Sequence, residues 1–535
     1  MSKVCAETKV KVPTQRYIYL LLDEVNQQLQ QQGGDRSWLV DTETGASCNI
    51  SQIEGITRRV ASGLTKLGFG PGDVIQTGYS NCLDFYWPVF AAWLCGGTVS
   101  AADPNLAPDL IKYQLNDTNA KVVVCSLEFV EKYSSLINKM LEPPLLFVLD
   151  AGTETILPGT ARSFMQLLAD GGEDAPTHDT LPEFDPTELQ CVIFWTSGTT
   201  GTPKGIVHSH QSFYNCALSS SSKYKRMMMT TVGFHVGGFL LPLSTGIFKH
   251  KSIYFIKEKC FTAQFCLDMI TKYEVEYLVC GINHFIKIGG LPKTNQQYPS
   301  LLGISPAGGA VSPGISEKVL QLLGPQTALV ETYGSTELGF VSYCRDPTFE
   351  WGRLGSILPG VKVYFADLKT GEKVGPGQPG KIMVKTHCSL LEYLNRPRET
   401  TALFDEDRFG FIGDVGHYDE TGNIYYDYRQ KDLLKVDNYW FGPGEIESML
   451  EGNDEIEEAM VWGEYDPGSG NDLVHVALVF TTTQVWPEQR VRDYVAERLP
   501  LTRRITGRID VLKELPHSRQ GKKLRRELKD HLTSN

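Results

Sequence analysis

Hydrophobic residues follow two alternating spacings over the first 150 residues of the chain. Residues 14–32 and 58–67 repeat apolar positions three and four apart, which places them on one face of an α-helix. Short, continuous apolar runs at 74–75, 121–125 and 145–149 are typical of strands buried on both faces. Strands that alternate with helices in this way predict parallel sheets covered by helices.

Three later stretches complete the pattern of predicted elements. Residues 85–102 are strongly apolar but are broken by Pro88 and Gly96, so they predict a core helix followed by a strand rather than a membrane span. Residues 151–188 are rich in Gly, Thr, Asp and Pro and predict a surface connection. The C-terminal piece, about 430–535, predicts a small α/β unit with strands at 459–462, 474–480 and 509–511 and a last helix at 524–532.

Composition and charge narrow the class of protein. The 535 residues suffice for more than one domain, and 41% hydrophobic and 21% charged residues are typical of a globular protein. A formal net charge of −12 argues against general nucleic-acid binding. Residues 503–529 are the exception, with ten Lys/Arg against three Asp/Glu. This basic tail could contact RNA or a membrane, or it could present one lysine to a phosphate.

The cysteines and the two ends of the chain indicate a cellular location. Twelve cysteines are scattered without a Cys-x-x-Cys pair or a cluster with histidine. Residues 1–4 do not begin a signal peptide, so we expect reduced thiols in a cytoplasmic protein with no stable membrane insertion. The chain ends in Thr533-Ser534-Asn535 and lacks the peroxisomal tripeptide Ser-Lys-Leu.

Residues 191–205 combine a predicted strand with a loop rich in hydroxyls and glycine. The apolar run 191–195 predicts a buried strand, which leads into Thr196-Ser197-Gly198-Thr199-Thr200-Gly201-Thr202-Pro203-Lys204-Gly205. Successive N–H groups in such a turn attract an anion, and the hydroxyls and Lys204 add donors that could hold a pyrophosphate. The spacing differs from Gly-x-x-x-x-Gly-Lys-Ser/Thr, which excludes the P-loop of common NTPases. The alternative is a flexible surface loop.

This loop closely resembles the phosphate-binding signature of the adenylate-forming superfamily, which contains acyl- and aryl-CoA synthetases, adenylation domains of peptide synthetases and beetle-type luciferases. Further family motifs recur in order over roughly residues 15–530. The resemblance implies an α/β fold with a large N-terminal domain of layered sheets and helices (1–428) and a small, mobile C-terminal α/β lid domain (429–535). The phosphate-binding residues that it implies are Thr196, Ser197, Gly198, Thr199, Thr200, Gly201 and Lys204.

Two motifs of the large domain would surround the acyl group by the same resemblance. His235, in Phe234-His235-Val236-Gly237-Gly238, is similar to a histidine that lies against the substrate carboxylate and the acyl phosphate. The segment 305–310 resembles one beside adenine and the acyl group, which implies contacts at Gly309 and Ala310.

The segment 330–337 matches the family motif Tyr-Gly-x-Thr-Glu at every defined position. Tyr333 would offer a flat face to a purine, and Gly334 would allow close approach. Thr336 would donate its hydroxyl to the α-phosphate. Glu337 would supply a hard oxygen for Mg²⁺, which prefers carboxylate and phosphate oxygens. The alternative is a strand-to-turn segment with a solvated glutamate.

The resemblance also assigns residues to the junction and to the lid. Asp414 follows Gly413 as in a motif whose carboxylate accepts both ribose hydroxyls, and Arg429 falls fifteen residues later at a ribose-contacting arginine of the domain junction. Lys431 and Lys435 keep the spacing of lysines that reach toward the nucleotide or the second-step site. Lys522, in a Pro-x-x-x-x-Gly-Lys loop, corresponds to the family's catalytic lysine.

The sequence departs from the family pattern in two places, one at the predicted entrance for CoA and one directly after His235. Asp437 and Trp440 stand where CoA ligases admit the phosphates and pantetheine of CoA, and an acid there would repel those phosphates. Val236 replaces the second histidine of beetle luciferases. Asp437 and Trp440 leave the thioester step open to test, whereas Val236 argues against a luciferase function.

The resulting prediction is an AMP-forming acid–thiol ligase, an acyl-CoA synthetase that uses ATP, Mg²⁺ and CoA to activate a carboxylic acid, fatty or aryl. Phe239, Leu338 and Phe340 predict an apolar acyl pocket without fixing its length. Two alternatives remain: a luciferase-like monooxygenase acting on an adenylated luciferin, and a ligase-derived binding protein without catalytic activity. No nucleic-acid partner is expected.

Overall fold

Five sheets account for the strands that the structure describes. The structure is a computed structural model, and it describes residues 15–31, 33–152, 155–172, 174–196, 203–219, 223–292, 296–309, 311, 313–345, 352–437, 439–482, 485–518 and 522–533. Sheets of seven, eight and seven strands are followed by a two-stranded hairpin and a three-stranded sheet.

The helices and strands have the following bounds. The α-helices are α1 (Tyr17–Leu29), α2 (Ser51–Lys66), α3 (Trp87–Leu94), α4 (Pro108–Thr118), α5 (Leu127–Ile137), α6 (Phe164–Asp170), α7 (His210–Ser219), α8 (Val236–Leu241), α9 (Ala263–Lys272), α10 (Ile282–Gly289), α11 (Pro313–Leu323), α12 (Pro397–Leu403), α13 (Gly444–Glu451), α14 (Glu488–Ala496) and α15 (Arg525–Thr533). Short 3₁₀ turns cover His178–Thr180, Glu258–Cys260, Gln430–Asp432 and Leu501–Arg503, and a π-helical turn covers Pro242–Ile247. The strands are β1 (Ser37–Asp41), β2 (Ser47–Asn49), β3 (Val74–Gly78), β4 (Thr98–Ala101), β5 (Val122–Cys125), β6 (Leu145–Val148), β7 (Arg162–Ser163), β8 (Gln190–Trp195), β9 (Gly205–Ser209), β10 (Arg226–Met229), β11 (Ser252–Phe255), β12 (Tyr277–Gly281), β13 (Gly303–Ala307), β14 (Ala328–Leu329), β15 (Glu331–Ser335), β16 (Gly339–Cys344), β17 (Arg353–Ile357), β18 (Lys362–Ala366), β19 (Gly380–Lys385), β20 (Glu392–Tyr393), β21 (Asp414–Tyr418), β22 (Ile424–Arg429), β23 (Leu434–Val436), β24 (Tyr439–Phe441), β25 (Ile456–Asp466), β26 (Asn471–Phe480) and β27 (Ile509–Val511).

The first two sheets are mainly parallel, as the alternating pattern predicts. The eight-stranded sheet has the order β20-β9-β8-β4-β3-β5-β6-β7, with antiparallel pairing only where β9 meets β8 and β20. The first of the two seven-stranded sheets has the order β14-β13-β12-β10-β11-β1-β2, with β2 antiparallel to β1. Strands such as β5 are buried at every residue, which explains their continuous apolar runs.

One helix lies in the core that the two sheets share. Every residue of α3 is buried, and its rings form one hydrophobic cluster with side chains of both sheets, such as Phe194 of β8 and Met229 of β10. The prediction of a core helix followed by a strand within 85–102 is therefore confirmed by α3 and β4. The shared core holds the two sheets together, so the loops at their edges can form one site.

The prediction of a surface connection over 151–188 is wrong in part. The helix α6 lies within it, and Phe164 and Leu167 are buried. Leu167 packs where Gly63 of α2 leaves no side chain, since a Cβ at Gly63 would lie 2.5 Å from the Leu167 carbonyl oxygen. The helix has seven residues and two buried apolar positions, which is too weak a pattern to be predicted within a segment rich in Gly, Thr, Asp and Pro.

The third large sheet ends at Arg429, and the strands after it pair with one another. Its order is β15-β16-β17-β22-β21-β19-β18. Beyond it, β23 and β24 form a hairpin, and β25, β26 and β27 form a separate sheet over α13 and α14 with its own hydrophobic core. The predicted small α/β unit with three strands and a last helix is confirmed, with α15 as that helix.

The C-terminal unit contacts the large unit through α11 and α13. Gly314 of α11 lies against Gly452, where an added Cβ would be 2.6 Å from the Gly452 Cα. Lys318 pairs with Asp454 at 3.4 Å. These contacts fix how the two units face each other in this arrangement.

Two further features concern the described part of the chain alone. The eleven cysteines within it are free thiols. Of its helices, none is both long enough and apolar enough to cross a membrane.

Candidate active site

The ends of three parallel strands bring predicted site residues to one edge of the large unit. The strand β8 ends at Trp195, directly before Thr196. The strand β10 ends at Met229, shortly before His235, and β13 ends at Ala307, directly before Gly308. Ligands of parallel α/β sheets bind beyond the carboxyl ends of the strands.

The base of the predicted phosphate loop is closed by paired hydrogen bonds. The Thr196 N–H donates to the Lys204 carbonyl at 3.0 Å, and the Lys204 N–H donates to Thr196 Oγ1 at 3.0 Å. Residues Ser197, Gly198, Thr199, Thr200 and Gly201 lie outside the described residues. The Lys204 ammonium lies 5.0 Å from the centre of the Tyr393 ring, in cation–π geometry.

Thr336 and Glu337 occupy the turn of the hairpin formed by β15 and β16. A Cβ at Gly334 would lie 2.3 Å from the Gly339 carbonyl oxygen, so the facing strand itself requires glycine there. The Tyr393 hydroxyl donates to Glu337 Oε1 at 3.2 Å. Tyr393 thus joins the lysine of the phosphate loop to the carboxylate predicted to hold Mg²⁺.

Asp414 is a buried carboxylate with two partners from different elements. The register of β21 and β22 places it opposite Arg429, whose guanidinium donates to Oδ1. The Tyr333 hydroxyl donates to Oδ2 at 2.9 Å. Gly413 adopts φ +97°, a conformation that favours glycine and turns the chain into β21. The three side chains predicted to contact the nucleoside therefore form one hydrogen-bonded group.

Lys522 extends this group into the C-terminal unit. Its ammonium interacts electrostatically with Arg429, Glu337 and Asp414. Although Lys522 is exposed as a residue, protein atoms surround its ammonium closely enough for burial to lower its pKa. The charge of Arg429 acts in the same direction, whereas the two carboxylates oppose it.

His235, in the large unit, lies within electrostatic range of Lys522. Burial lowers the pKa of its imidazole to about 4, and the positive charge of Lys522 contributes in the same direction. The ring is therefore neutral at pH 7. An added Cβ at Gly237 would have no neighbour within 4 Å, which leaves open space beside the histidine.

Two family models match the chain. The first is described as AMP-binding enzyme and matches residues 25–394, and the second is described as AMP-binding enzyme C-terminal domain and matches residues 445–522. The chain belongs to the AMP-binding enzyme family.

Known proteins resemble this AMP-binding enzyme over nearly its whole length. It is 26% identical over 519 residues to a 4-coumarate–CoA ligase of Pinus taeda, covering 94% of this chain and 93% of the relative. It is 27% identical to 4-coumarate–CoA ligase 3 of Arabidopsis thaliana, covering 93% and 89%. An anthranilate CoA ligase in complex with anthranoyl-AMP has the same fold, with a TM-score of 0.84 at 18% identity, covering 98% and 99%. The predicted superfamily, fold and class of acid–thiol ligase are confirmed.

The remaining predicted site residues of this AMP-binding enzyme belong to three different segments. Gly309 faces Ile282, whose Cδ1 would be 3.5 Å from an added Cβ, and Ala310 lies outside the described residues. Lys431 interacts electrostatically with Lys522. Lys435 belongs to the hairpin of β23 and β24, where its N–H donates to Asp472 Oδ2 at 2.7 Å.

Asp437 lies at the turn of that hairpin. It adopts φ +49°, and its N–H donates to Asn471 Oδ1 at 2.9 Å. The amide of Asn471 in turn donates to Asp437 Oδ1 at 3.1 Å. The carboxylate is therefore held in place while remaining exposed. The side chain of Trp440 lies outside the described part of the structure.

Three residues are predicted to line an apolar pocket, and for two of them the prediction is wrong. Phe239 is fully buried among the rings of Phe85, Phe194 and Phe213, so it belongs to the core between the sheets. Leu338 is also fully buried, in the core of the third sheet. Phe340 is half-buried on β16. Apolar character alone does not separate a pocket wall from a core residue.

Two residues of the site are absent from the predicted set. Tyr393 contacts Lys204 and Glu337, and His208 of β9 contacts the carbonyl of Thr336. Tyr393 stands in no recognised motif, and a lone histidine within an apolar strand is a weak signal. Only the pairing of β9 with β8 and β20 brings them beside the hairpin turn.

Proposed function

We propose that this enzyme activates a carboxylic acid with ATP, forming an acyl-adenylate, and transfers the acyl group to CoA. The observation that carries the proposal is the position of Lys522. A positive charge from the C-terminal unit meets the carboxylates of Glu337 and Asp414 and the neutral imidazole of His235. A cation that spans the two units suits a reaction that builds up negative charge between them.

In the first step, a carboxylate oxygen attacks the α-phosphorus of ATP, and pyrophosphate leaves. Lys522 and Lys204 stabilise the charge on the phosphates, and Thr336 donates to the α-phosphate. Asp414 would accept from the ribose hydroxyls, with Arg429 holding its carboxylate in place. Positioning and charge neutralisation carry this step without covalent chemistry by the protein.

Glu337 suits Mg²⁺ because it is a half-buried carboxylate at a turn, and Mg²⁺ prefers carboxylate and phosphate oxygens. Bound there with the phosphates of ATP, the metal would neutralise charge on them.

In the second step, the thiol of CoA attacks the activated carbonyl, the bond to phosphate breaks and AMP leaves. The proposed lid, residues 429–535, would turn about Arg429 and bring the hairpin with Lys435 toward the acyl group. The acceptor is proposed as CoA because the relatives are named as CoA ligases.

The experiment that tests this function is a panel of acids, from short-chain to aryl to long-chain, scored by AMP release with and without CoA. We expect at least one acid to give CoA-dependent AMP release. ATP–pyrophosphate exchange with none of them would favour a non-catalytic protein. Pyrophosphate exchange without any CoA-dependent AMP release would indicate another acceptor. Light from candidate luciferins would support the monooxygenase, which Val236 disfavours.

A further inference from the structure

His208 makes a hydrogen bond to the backbone of the predicted catalytic turn. The residue is 1% exposed, and its Nε2 lies 2.8 Å from the Thr336 carbonyl oxygen. Its Nδ1 lies 3.2 Å from Ser212 Oγ. The first contact joins β9, which follows the phosphate loop, to a turn more than a hundred residues later, and the second joins β9 to α7.

The contact with Thr336 determines which nitrogen carries the proton. A carbonyl oxygen can only accept, so Nε2–H must donate, and Nδ1 is left to accept from the Ser212 hydroxyl. Burial lowers the pKa of His208 to about 4, which keeps the imidazole neutral near pH 7. The ring therefore acts as a fixed donor.

The turn is held from a second side through its next carbonyl. The Leu390 N–H donates to the Glu337 carbonyl oxygen at 2.7 Å. The hydroxyl of Tyr393, the second residue of β20, donates to the Glu337 carboxylate at 3.2 Å and restrains it. Two successive carbonyls are thus tied down, and the orientation of the Thr336 hydroxyl depends on the peptide that His208 holds.

We propose that His208 is a positioning residue that fixes the Thr336–Glu337 peptide relative to the strand after the phosphate loop. The inference rests on the proposed function, because it gives Thr336 a phosphate to contact. A substrate phosphate would then meet donors from Lys204 and Thr336 at a constant separation. Misplacement of such a donor by about 1 Å can cost on the order of a hundredfold in rate.

Two substitutions separate this role from simple packing. Glutamine can place an amide N–H near the position of Nε2, whereas asparagine reaches only the position of Nδ1. We expect His208→Asn to lower the rate of ATP–pyrophosphate exchange by about tenfold or more, and His208→Gln to stay within about threefold of wild type. Equal losses in the two variants, or no loss in a folded His208→Asn, would overturn the proposal.

His210 provides the matched control. It is equally buried, but its Nδ1 accepts the Tyr17 N–H of α1 at 3.1 Å, away from the turn. We expect His210→Gln to lower the thermal stability while leaving exchange per folded molecule unchanged. If His208→Asn fails to fold, Ser212→Ala tests the orientation of the ring by removing the partner of Nδ1, and we expect a loss of about threefold. Unchanged exchange in that folded variant would count against the proposal.

Equilibrium binding of ATP keeps the inference separate from the proposed function. We expect ATP to bind more weakly to His208→Asn than to wild type and to His208→Gln. If wild type binds ATP but exchanges pyrophosphate with no acid, the proposed function fails, while the order of affinities still tests the inference. Equal affinities for ATP in all three proteins, together with equal exchange rates, would show that His208 does not position the site.

Discussion

At the scale of single residues, Lys522 lies among positive and negative charges, and a substitution can test its role in adenylation. Lys522→Ala should lower adenylation by about 10²–10³, the cost of losing one preorganised donor. Thioester formation from a pre-made acyl-adenylate should be nearly unchanged, because the proposed lid has turned away by then. Half-reaction rates measured by rapid quench would decide, and equal losses in both would contradict the assigned role.

The same side chain makes the pH dependence of adenylation informative. Burial lowers the pKa of Lys522 below that of an ordinary lysine. The charged form is therefore lost at a lower pH than usual, so adenylation should fall as the pH rises on the alkaline side. Lys522→Ala should abolish this dependence, which a pH series of the wild type and the variant would show.

Glu337 allows a second test, directed at the metal. Glu337→Gln keeps an acceptor for the Tyr393 hydroxyl but removes the charge that suits Mg²⁺. We expect a higher Mg²⁺ requirement, measured by titration of the adenylation rate, with the melting temperature unchanged. A variant that lost thermal stability but kept its metal dependence would identify Glu337 as a structural residue.

Asp437 is the residue through which the identity of the acceptor can be tested. Its carboxylate is exposed at the turn of β23 and β24 and fixed by Asn471. Like charges about 4 Å apart cost roughly 1 kcal/mol even in water. Asp437→Lys should therefore lower the KM for CoA by about tenfold, or roughly 1.4 kcal/mol, without changing the KM for ATP.

Two outcomes would count against that expectation, and they differ in meaning. If neither the wild type nor Asp437→Lys depends on CoA, the adenylate is passed to another acceptor. If wild type binds CoA tightly and the substitution changes nothing, the Asp437 carboxylate points away from the cofactor. Asn471→Ala would serve as a control, since it frees Asp437 without changing its charge.

At the scale of elements, the sequence predicts residues within short motifs better than it predicts contacts between distant segments. The family motifs at Tyr333 and Asp414 are short and contiguous, so each could be recognised from its own residues. The hydrogen bond between these two side chains spans 81 residues and depends on the third sheet, which no single motif encodes. For the same reason the sequence does not point to Tyr393, and it predicts a pocket position for Phe239 where the structure has a core residue.

A buried ion cluster anchors the loop of Lys522 in the C-terminal unit. Arg525 donates from Nη2 to both carboxylate oxygens of Glu447, at 2.6 and 2.7 Å, and from Nε to the Val461 carbonyl at 3.0 Å. Lys523 pairs with Glu451 at 2.7 Å. Both cations follow Lys522 within three residues, so the cluster fixes the C-terminal end of its loop.

Replacing the planar guanidinium tests this anchoring. Arg525→Lys keeps the charge but has a single nitrogen, so it cannot donate to Glu447 and, from a second nitrogen, to the Val461 carbonyl. We expect adenylation to fall by about tenfold as the loop becomes less well positioned, with the thioester half-reaction nearly unchanged. Arg526→Lys is the matched control, because Arg526 is exposed and pairs with the exposed Asp530 at 3.9 Å. Similar losses in both variants would contradict the anchoring role.

At the scale of the whole molecule, the contact between α11 and α13 belongs to the arrangement that places Lys522 beside Asp414. If the proposed lid turns about Arg429 between the two half-reactions, this contact must break before the thioester step. A change that disfavours the contact should then slow only the first step. Gly314 is suited to this test because it belongs to α11 and touches the C-terminal unit through its missing side chain.

Gly314→Ala should shift the balance between the two arrangements. Its Cβ would lie 2.6 Å from the Gly452 Cα and 3.0 Å from the Glu451 carbonyl oxygen, so one helix must move. Since alanine favours helix more than glycine does, the large unit itself should not be destabilised. We expect adenylation to fall by about fivefold, the effect of roughly 1 kcal/mol on a two-state equilibrium, with the thioester half-reaction unchanged or faster.

Gly55→Ala in α2, where a Cβ meets nothing within 4 Å, is the control and should change neither rate. Equal slowing of both half-reactions by Gly314→Ala would mean that the two units keep this arrangement throughout the cycle.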